Sequence, residues 1–214
     1  MFERMKETTA LSSVVCVTNR RLVPGVLQAV GGENWAPFLR RLEAVVAARP
    51  RAVILREKDL SEAAYAQLAQ QVLAICRRAA VPCILHSWAE LARQLGADGL
   101  HLPLDRLRGL PRERRPAFPV FGASCHSLAD IAEAEQFGCH YVSFGHIYAT
   151  ACKPGLSPRG RELLRRGCAA ARIPVYAIGG ITPARLPEVL RDGAAGACVM
   201  SGFMRGDTWI AGKE

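Results

Sequence analysis

The chain has 214 residues, half of them hydrophobic and 7% aromatic, and its formal net charge at pH 7 is +9. These values predict one domain with one substantial core, near the short end of the range for a (β/α)8 barrel. The sequence contains no run of about 18 apolar residues. Because the charged segment Met1–Ala10 also has no apolar h-region, we expect a cytoplasmic protein without a transmembrane helix or a signal peptide.

Short apolar runs alternate with helical patterns along the whole chain. The predicted strands are Val14–Val17, Ala52–Leu55, Pro82–Leu85, Gly99–Leu102, Val120–Ser124, Tyr141–Phe144, Val175–Ile178 and Ala197–Met200. The predicted helices are Trp35–Ala48, Ser61–Ala80, Glu90–Leu95, Ser127–Phe137, Gly160–Ala171 and Thr182–Arg191, with Ser61 and Thr182 as N-cap residues. Eight apolar strands joined by helices predict a parallel sheet that closes into a single α/β barrel, a (β/α)8 TIM barrel, with its core over residues 14–203.

The end of the chain departs from a complete barrel. Gly202–Glu214 are too few for a full helix after the eighth strand, so the last helix should be short or absent. This would expose an apolar seam, and we expect a second copy of the chain to cover it in a homodimer. The segment Met1–Leu11 is the alternative cover.

The eight cysteines include no CxxC pair, and most lie within apolar runs. Buried structural thiols are therefore favoured over a disulfide framework or a zinc site. The basic residues are spread along helical segments, and the densest run, Arg106–Arg115, has no interleaved aromatic residues. This pattern is typical of solvated helix surfaces, so we expect neither nucleic acid nor a membrane as a partner, although a positive field would attract an anionic substrate.

Function in a barrel collects in the loops that follow the strands. Two of these loops carry glycine at the start of a helix: Gly179-Gly180 after the seventh strand and Ser201-Gly202 after the eighth. Glycine lets backbone N–H groups approach an anion, and barrels commonly bind phosphate at this place. The sequence therefore predicts a phosphate site here, although a lone Gly-Gly also occurs in ordinary tight turns.

The other strand ends carry ionisable and polar side chains. Arg56 and Lys58 could bind a carboxylate or phosphate, or could form rim salt bridges with Glu57 or Asp59. Cys125 and His126 point to opposite faces while strand geometry lasts, so they do not form a dyad. Imidazole titrates near neutrality, which makes His126 a candidate acid/base. The remaining residues that we expect to line the site are His86, Ser87, His101, Ser124 and His146.

At these motifs the chain resembles the family of thiamine phosphate synthase and TenI-type thiazole tautomerase, over Val14–Phe203. The shared motifs are LREKDL (55–60), GADGLHLP (96–103), Gly122–His126, Thr150–Lys153 and AIGGITP (177–183). Three stretches resemble the tautomerase branch in particular: CHSLADIAEAE (125–135), FGHIYATACKPGLSPRG (144–160) and VMSGF (199–203).

The synthases of this family hold magnesium with carboxylates after strands three and four, and the metal neutralises departing pyrophosphate. Here those positions are Ser87 and Arg106, with Asp105 one residue away. A single carboxylate is a poor Mg2+ site. The resemblance therefore implies the tautomerase, which aromatises the phosphorylated carboxythiazole product of thiazole synthase without metal or cofactor; the synthase remains the alternative.

The resemblance also implies roles. His126 would move a proton from ring carbon C2 to the exocyclic carbon, and Arg56 and Lys58 would face the substrate carboxylate. Gly179, Gly180, Ser201, Gly202 and Lys153 would hold the phosphate. Two rivals stay open: a metal enzyme built on His86, His101, His126 and His146, and a non-catalytic regulator that senses a phosphorylated ligand.

Overall fold

Eight short parallel strands form the framework of this computed structural model, which describes residues 11–26, 34–109, 118–206 and 208–210. The strands are β1 (Val14–Val17), β2 (Ala52–Leu55), β3 (Cys83–His86), β4 (Gly99–Pro103), β5 (Val120–Cys125), β6 (Tyr141–Gly145), β7 (Val175–Ile178) and β8 (Gly196–Val199). They follow one another in sequence order around a closed barrel, which confirms the predicted (β/α)8 fold.

The strands form where the sequence has continuous apolar runs. Almost every strand residue is buried, as expected for strands that are covered on both faces. Two strands are displaced from their predicted bounds by one residue at both ends: β3 lies a residue later and β8 a residue earlier. Gly196 pairs with Tyr176 of β7, whereas Met200 has left the extended conformation, with φ −110° and ψ −71°.

The helices are α1 (Ala36–Ala47), α2 (Glu62–Arg78), α3 (Ala89–Gln94), α4 (Leu104–Arg108), α5 (Leu128–Gln136), α6 (Gly160–Ala170), α7 (Leu186–Arg191) and α8 (Ser201–Met204). Ser61 caps α2 as predicted, since its hydroxyl accepts the N–H of Ala64 at 3.3 Å. The sequence prediction missed α4 and a 3-10 helix at Arg20–Leu22, both of which are too short to show a helical period.

Thr182 occupies an N-cap position as predicted, but the helix that begins there is a 3-10 helix and not an α-helix. Its side chain makes no capping hydrogen bond, and the chain first forms a 3-10 turn, Pro183–Arg185, before α7 begins at Leu186. Pro187 explains the difference, because proline has no N–H to bond the carbonyl four residues earlier and its ring crowds that carbonyl.

The contacts between the described residues group into two compact units. One contains the residues up to Gly99 together with those from Met200 onward, and the other is Leu100–Val199. A single domain over the whole chain stays a prediction.

The last helix is short, as predicted. After the four residues of α8, Trp209 packs on Phe203 with ring centroids 6.0 Å apart, and both side chains are buried. Arg41 of α1 donates hydrogen bonds to the carbonyls of Phe203 and Gly206. This C-terminal segment therefore packs on α1. Residues 1–10, the other expected cover, lie outside the described residues, and the homodimer stays a prediction.

No helix in the described part of the chain is both long enough and apolar enough to cross a membrane.

Candidate functional site

His126 lies between the end of β5 and the start of α5, where a capping box fixes the backbone. The hydroxyl of Ser127 accepts the N–H of Asp130 at 3.1 Å. In return, a carboxylate oxygen of Asp130 accepts the N–H groups of Ser127 at 3.0 Å and of His126 at 2.7 Å. Burial raises the pKa of Asp130, but these donors, with the Arg108 guanidinium, outweigh burial and hold that pKa below its ordinary value. Asp130 is therefore a charged clamp on the His126 backbone.

The imidazole of His126 is oriented by one hydrogen bond. Its Nδ1 lies 2.7 Å from the carbonyl oxygen of Gly145, at the end of β6. Because a carbonyl oxygen only accepts hydrogen bonds, the proton of the neutral ring must be on Nδ1. The lone pair is then on Nε2, which has no protein partner within the described residues. The half-buried ring thus presents one basic nitrogen for proton exchange.

The neighbouring Cys125 takes no part in this arrangement. Its buried thiol donates to the carbonyl of Asp130 at 3.4 Å, whereas the His126 ring bonds Gly145. Burial raises the pKa of Cys125 far above that of an ordinary thiol. The sequence prediction that these two residues form no dyad is confirmed, because the thiol is held neutral and away from the imidazole.

A polar cluster fills the interior beside β5. His101 bonds the Tyr141 hydroxyl through Nδ1 at 3.0 Å and the Ser124 hydroxyl through Nε2 at 2.9 Å, and Ser143 lies 3.4 Å from the same Nε2. Both ring nitrogens of His101 are therefore engaged within the protein. Burial raises the pKa of Tyr141 well above its ordinary value, so its phenol stays protonated. This network supports the strand from which His126 extends.

His146 was predicted to line the site, but in the structure it anchors a loop. The ring is buried, and its Nε2 lies 3.2 Å from the carbonyl of Leu156 in the β6–α6 loop, residues 146–159. Its Nδ1 is buried and has no hydrogen-bond partner among the described residues. His146 therefore holds the returning part of that loop.

Packing of the β6–α6 loop also requires glycine at both positions of the Gly179-Gly180 turn. Both residues have positive φ, +97° and +67°. A Cβ on Gly179 would lie 2.2 Å from the Cβ of His146, and one on Gly180 would lie 2.6 Å from the carbonyl oxygen of Ala149. The close approach of the β6–α6 loop thus requires glycine here even without a bound anion. Phosphate binding by this turn stays a prediction.

The β6–α6 loop leaves this turn as an exposed segment that carries Lys153. The N–H of Tyr148 donates to the Gly179 carbonyl at 3.0 Å, and Arg185 both donates to the Gly180 carbonyl at 2.8 Å and stacks on the Tyr148 ring at 4.5 Å. Lys153 is half-buried, and its ammonium has no ion-pair partner within the described residues. Lys153 therefore places a positive charge on the β6–α6 loop, which is hydrogen-bonded to the Gly179-Gly180 turn.

In the other unit, the motif LREKDL (55–60) at the end of β2 is organised by the buried carboxylate of Glu57. Glu57 is 3% exposed and accepts the Thr18 hydroxyl at 2.7 Å and the Arg20 N–H at 3.0 Å. Arg20 also bonds Asp59 through both terminal nitrogens. Burial raises the pKa of Glu57 despite these donors. The sequence prediction did not include Arg20 as a partner of Glu57 and Asp59; no local signal connects residues 37 and 39 positions apart.

The remaining predicted residues of this unit occupy strand ends. His86 is buried, and its Nδ1 lies 2.6 Å from the Ser87 hydroxyl. Arg56 and Ser87 are half-buried and Lys58 is exposed, while Ser201 and Gly202 begin the four-residue α8. The binding roles expected for these residues stay predictions.

The donors do not fit the magnesium that the synthases of the resembled family use. Ser87 bonds His86, and the side chain of Asp105 is 89% exposed and paired with Arg108 at 2.6 Å. Arg106 adds a positive charge at the other expected position. Across the described ranges, no group of three His, Cys, Asp or Glu side chains could hold a metal ion.

The closed barrel of eight parallel strands makes this chain a (β/α)8-barrel protein. His126, oriented by its hydrogen bond to Gly145, follows one of these strands. Residues 27–203 match the family model described as thiamine monophosphate synthase. The chain belongs to this family.

Named relatives agree with the family, and a solved structure agrees with the fold. A thiamine-phosphate synthase of Synechococcus sp. (strain WH7803) is 36% identical over 78% of this chain, which spans 48% of that protein. One from Thiobacillus denitrificans is 37% identical over 85% of this chain and 88% of its own length. Thiamine phosphate pyrophosphorylase from Pyrococcus furiosus superposes with a TM-score of 0.75 over 94% of this chain and 91% of its own, at 24% identity, which supports the fold. These relatives bear the name of the alternative activity, the synthase, and the comparisons do not distinguish a tautomerase branch.

Proposed function

We propose that this chain is an enzyme of thiamine biosynthesis and that it aromatises the phosphorylated carboxythiazole product of thiazole synthase. The observation that carries this proposal is the hydrogen bond of 2.7 Å between His126 Nδ1 and the Gly145 carbonyl. It leaves Nε2 as a base, and an isomerisation needs only a group that accepts one proton and returns it.

The reaction follows from this orientation. Nε2 of His126 accepts the proton from ring carbon C2, and the electron pair of the broken C–H bond enters the ring π system. The exocyclic double bond shifts into the ring, and the imidazolium returns its proton to the exocyclic carbon. No electrons are gained or lost overall. The Gly145 carbonyl favours the imidazolium intermediate because its dipole faces the Nδ1–H donor.

The substrate carries two anionic groups, and the chain offers candidates for both. We assign the phosphate to the amides of the Gly179-Gly180 turn and to Lys153, which stands on the loop packed against that turn. Arg56 and Lys58 remain candidates for the carboxylate, and Ser201 and Gly202 for the phosphate. The basic net charge of +9 favours the approach of such an anion.

A second candidate is thiamine phosphate synthase, and the names of the relatives favour it. That reaction expels pyrophosphate, whose charge must be neutralised as it leaves. The positions that would supply magnesium ligands hold Ser87 and Arg106, and Asp105 is paired with Arg108. For this reason the geometry supports the isomerase better than the synthase.

Two assays on the same purified protein separate the candidates. The first supplies freshly made thiazole synthase product with a chelator present and follows formation of the aromatic thiazole. The second supplies a pyrimidine pyrophosphate, a thiazole phosphate and Mg2+ and follows release of pyrophosphate. We expect rapid turnover in the first and background release in the second. Robust pyrophosphate release without aromatisation would establish the synthase.

A further inference from the structure

Arg159 lies beside the His126 imidazole at the end of the β6–α6 loop. Its Nε donates to the Gly145 carbonyl oxygen at 3.1 Å, and this oxygen is also the one that Nδ1 of His126 contacts at 2.7 Å. The two side chains therefore reach one acceptor atom from different elements. A permanent cation stands next to the basic ring.

The position of Arg159 is fixed by its backbone as well. Its N–H donates to the His146 carbonyl at 2.9 Å, and the N–H of Gly160 donates to that of Ile147 at 3.1 Å. The returning end of the loop is thus bonded to the residues that follow β6. This double attachment, by backbone and by Nε, places the guanidinium at the site.

The rest of the guanidinium remains available. Arg159 is exposed, and neither of its Nη atoms has a hydrogen-bond or ion-pair partner within the described residues. Other arginines of the same unit are neutralised by carboxylates: Arg161 pairs with Asp192 and Glu188, and Arg108 pairs with Glu133. Arg159 keeps up to four N–H donors for an anion.

We infer that Arg159 is a second catalytic residue, whose guanidinium stabilises the negative charge that develops on the substrate while His126 removes the proton. This inference rests on the proposed isomerisation. When the C–H bond at C2 breaks, its electron pair spreads over the ring and its substituents, and among the described residues no group of metal-binding side chains accompanies His126. A fixed cation next to the base lowers the energy of that transition state without reorganising. Asp130, the carboxylate that bonds the His126 backbone, is occupied by N–H donors and Arg108.

The test compares Arg159→Met, Arg159→Lys and the control Arg166→Met. Arg166 is an exposed arginine of α6 without a partner among the described residues. Arg159→Met should lower kcat on the order of 100-fold, as does the loss of one preorganised donor, with a smaller change in KM. Arg159→Lys keeps the charge and should recover part of this loss. Arg166→Met should behave as wild type.

Two further measurements distinguish a direct role from a structural one. With substrate deuterated at C2, Arg159→Met should show a larger primary isotope effect on kcat than wild type, because proton removal has become slower. Nitrogen NMR of the ring should still show the proton of neutral His126 on Nδ1. Loss of that tautomer would overturn the inference, since Arg159 would then act only by positioning His126.

The outcomes also separate this inference from the proposed function. An unchanged kcat in Arg159→Met, beside an active wild type, would refute the role of Arg159 alone. A rise in KM with kcat unchanged would refute it too, because a ground-state binder does not stabilise developing charge. A wild type that does not aromatise the substrate would refute the proposed function, and this inference with it.

Discussion

The carboxylate of Asp130 accepts the backbone N–H of His126 at 2.7 Å, so the helix cap of α5 and the orientation of the basic residue depend on one side chain. The same carboxylate bonds Ser127 and lies 3.2 Å from Arg108. Mutation of Asp130 should therefore affect both stability and catalysis.

Asp130→Ala should lower kcat about tenfold, because the His126 backbone loses its anchor, and should cost about 1–2 kcal/mol of stability as a lost helix cap. Thermal unfolding and steady-state turnover measure the two effects. Glu133→Ala is the matched control, since Glu133 also pairs with Arg108 but does not contact His126. Equal turnover of both variants would show that the cap does not serve catalysis.

Acid should destabilise the protein partly through Asp130. Its pKa in the folded chain lies below the ordinary value of 3.8. The carboxylate therefore contributes stability above that value, and the contribution is lost as the pH falls from there through the lowered pKa. Urea unfolding at a series of pH values should show that Asp130→Asn, compared with wild type, loses less stability between neutral pH and about pH 3. Parallel curves would contradict this account.

Substitution of Gly180 tests how the β6–α6 loop packs against the glycine turn. Gly180→Ala adds a Cβ 2.6 Å from the Ala149 carbonyl oxygen at a positive φ, so both strain and overlap should destabilise the chain. Gly138 has a similar φ of +78° and nothing within 4 Å of the added Cβ, which makes Gly138→Ala a control for conformational strain alone, about 1–2 kcal/mol. Thermal unfolding should show a larger loss for Gly180→Ala. Equal losses would mean that the loop moves aside easily.

The short α8 leads us to predict a homodimer. Trp209 and Phe203 bury part of the C-terminal apolar surface, but four helical residues cannot cover what a full helix would. Light scattering at low micromolar concentration should give twice the mass of the 23.2 kDa chain. A clean monomer mass would reject the dimer.

Local patterns in the sequence predicted the barrel because each strand is a continuous apolar run, and such runs report burial directly. They also made His126 a candidate acid/base, and this role stays a prediction. The spacing of Ser127 and Asp130 fits a capping box, a local signal that could have revealed the clamp on His126. The roles of Gly179, His146 and Arg159 could not be read in this way, because they depend on how the β6–α6 loop returns to the strand ends.

The central claim, proton transfer by His126 without metal, is tested most directly by the turnover of His126→Asn with freshly made thiazole synthase product and a chelator. We predict that wild type aromatises this substrate and that His126→Asn is slower by about two to four powers of ten with little change in KM. His140→Asn, at the opposite end of β6, should retain wild-type turnover as the control. Near-wild-type turnover in His126→Asn would contradict the account.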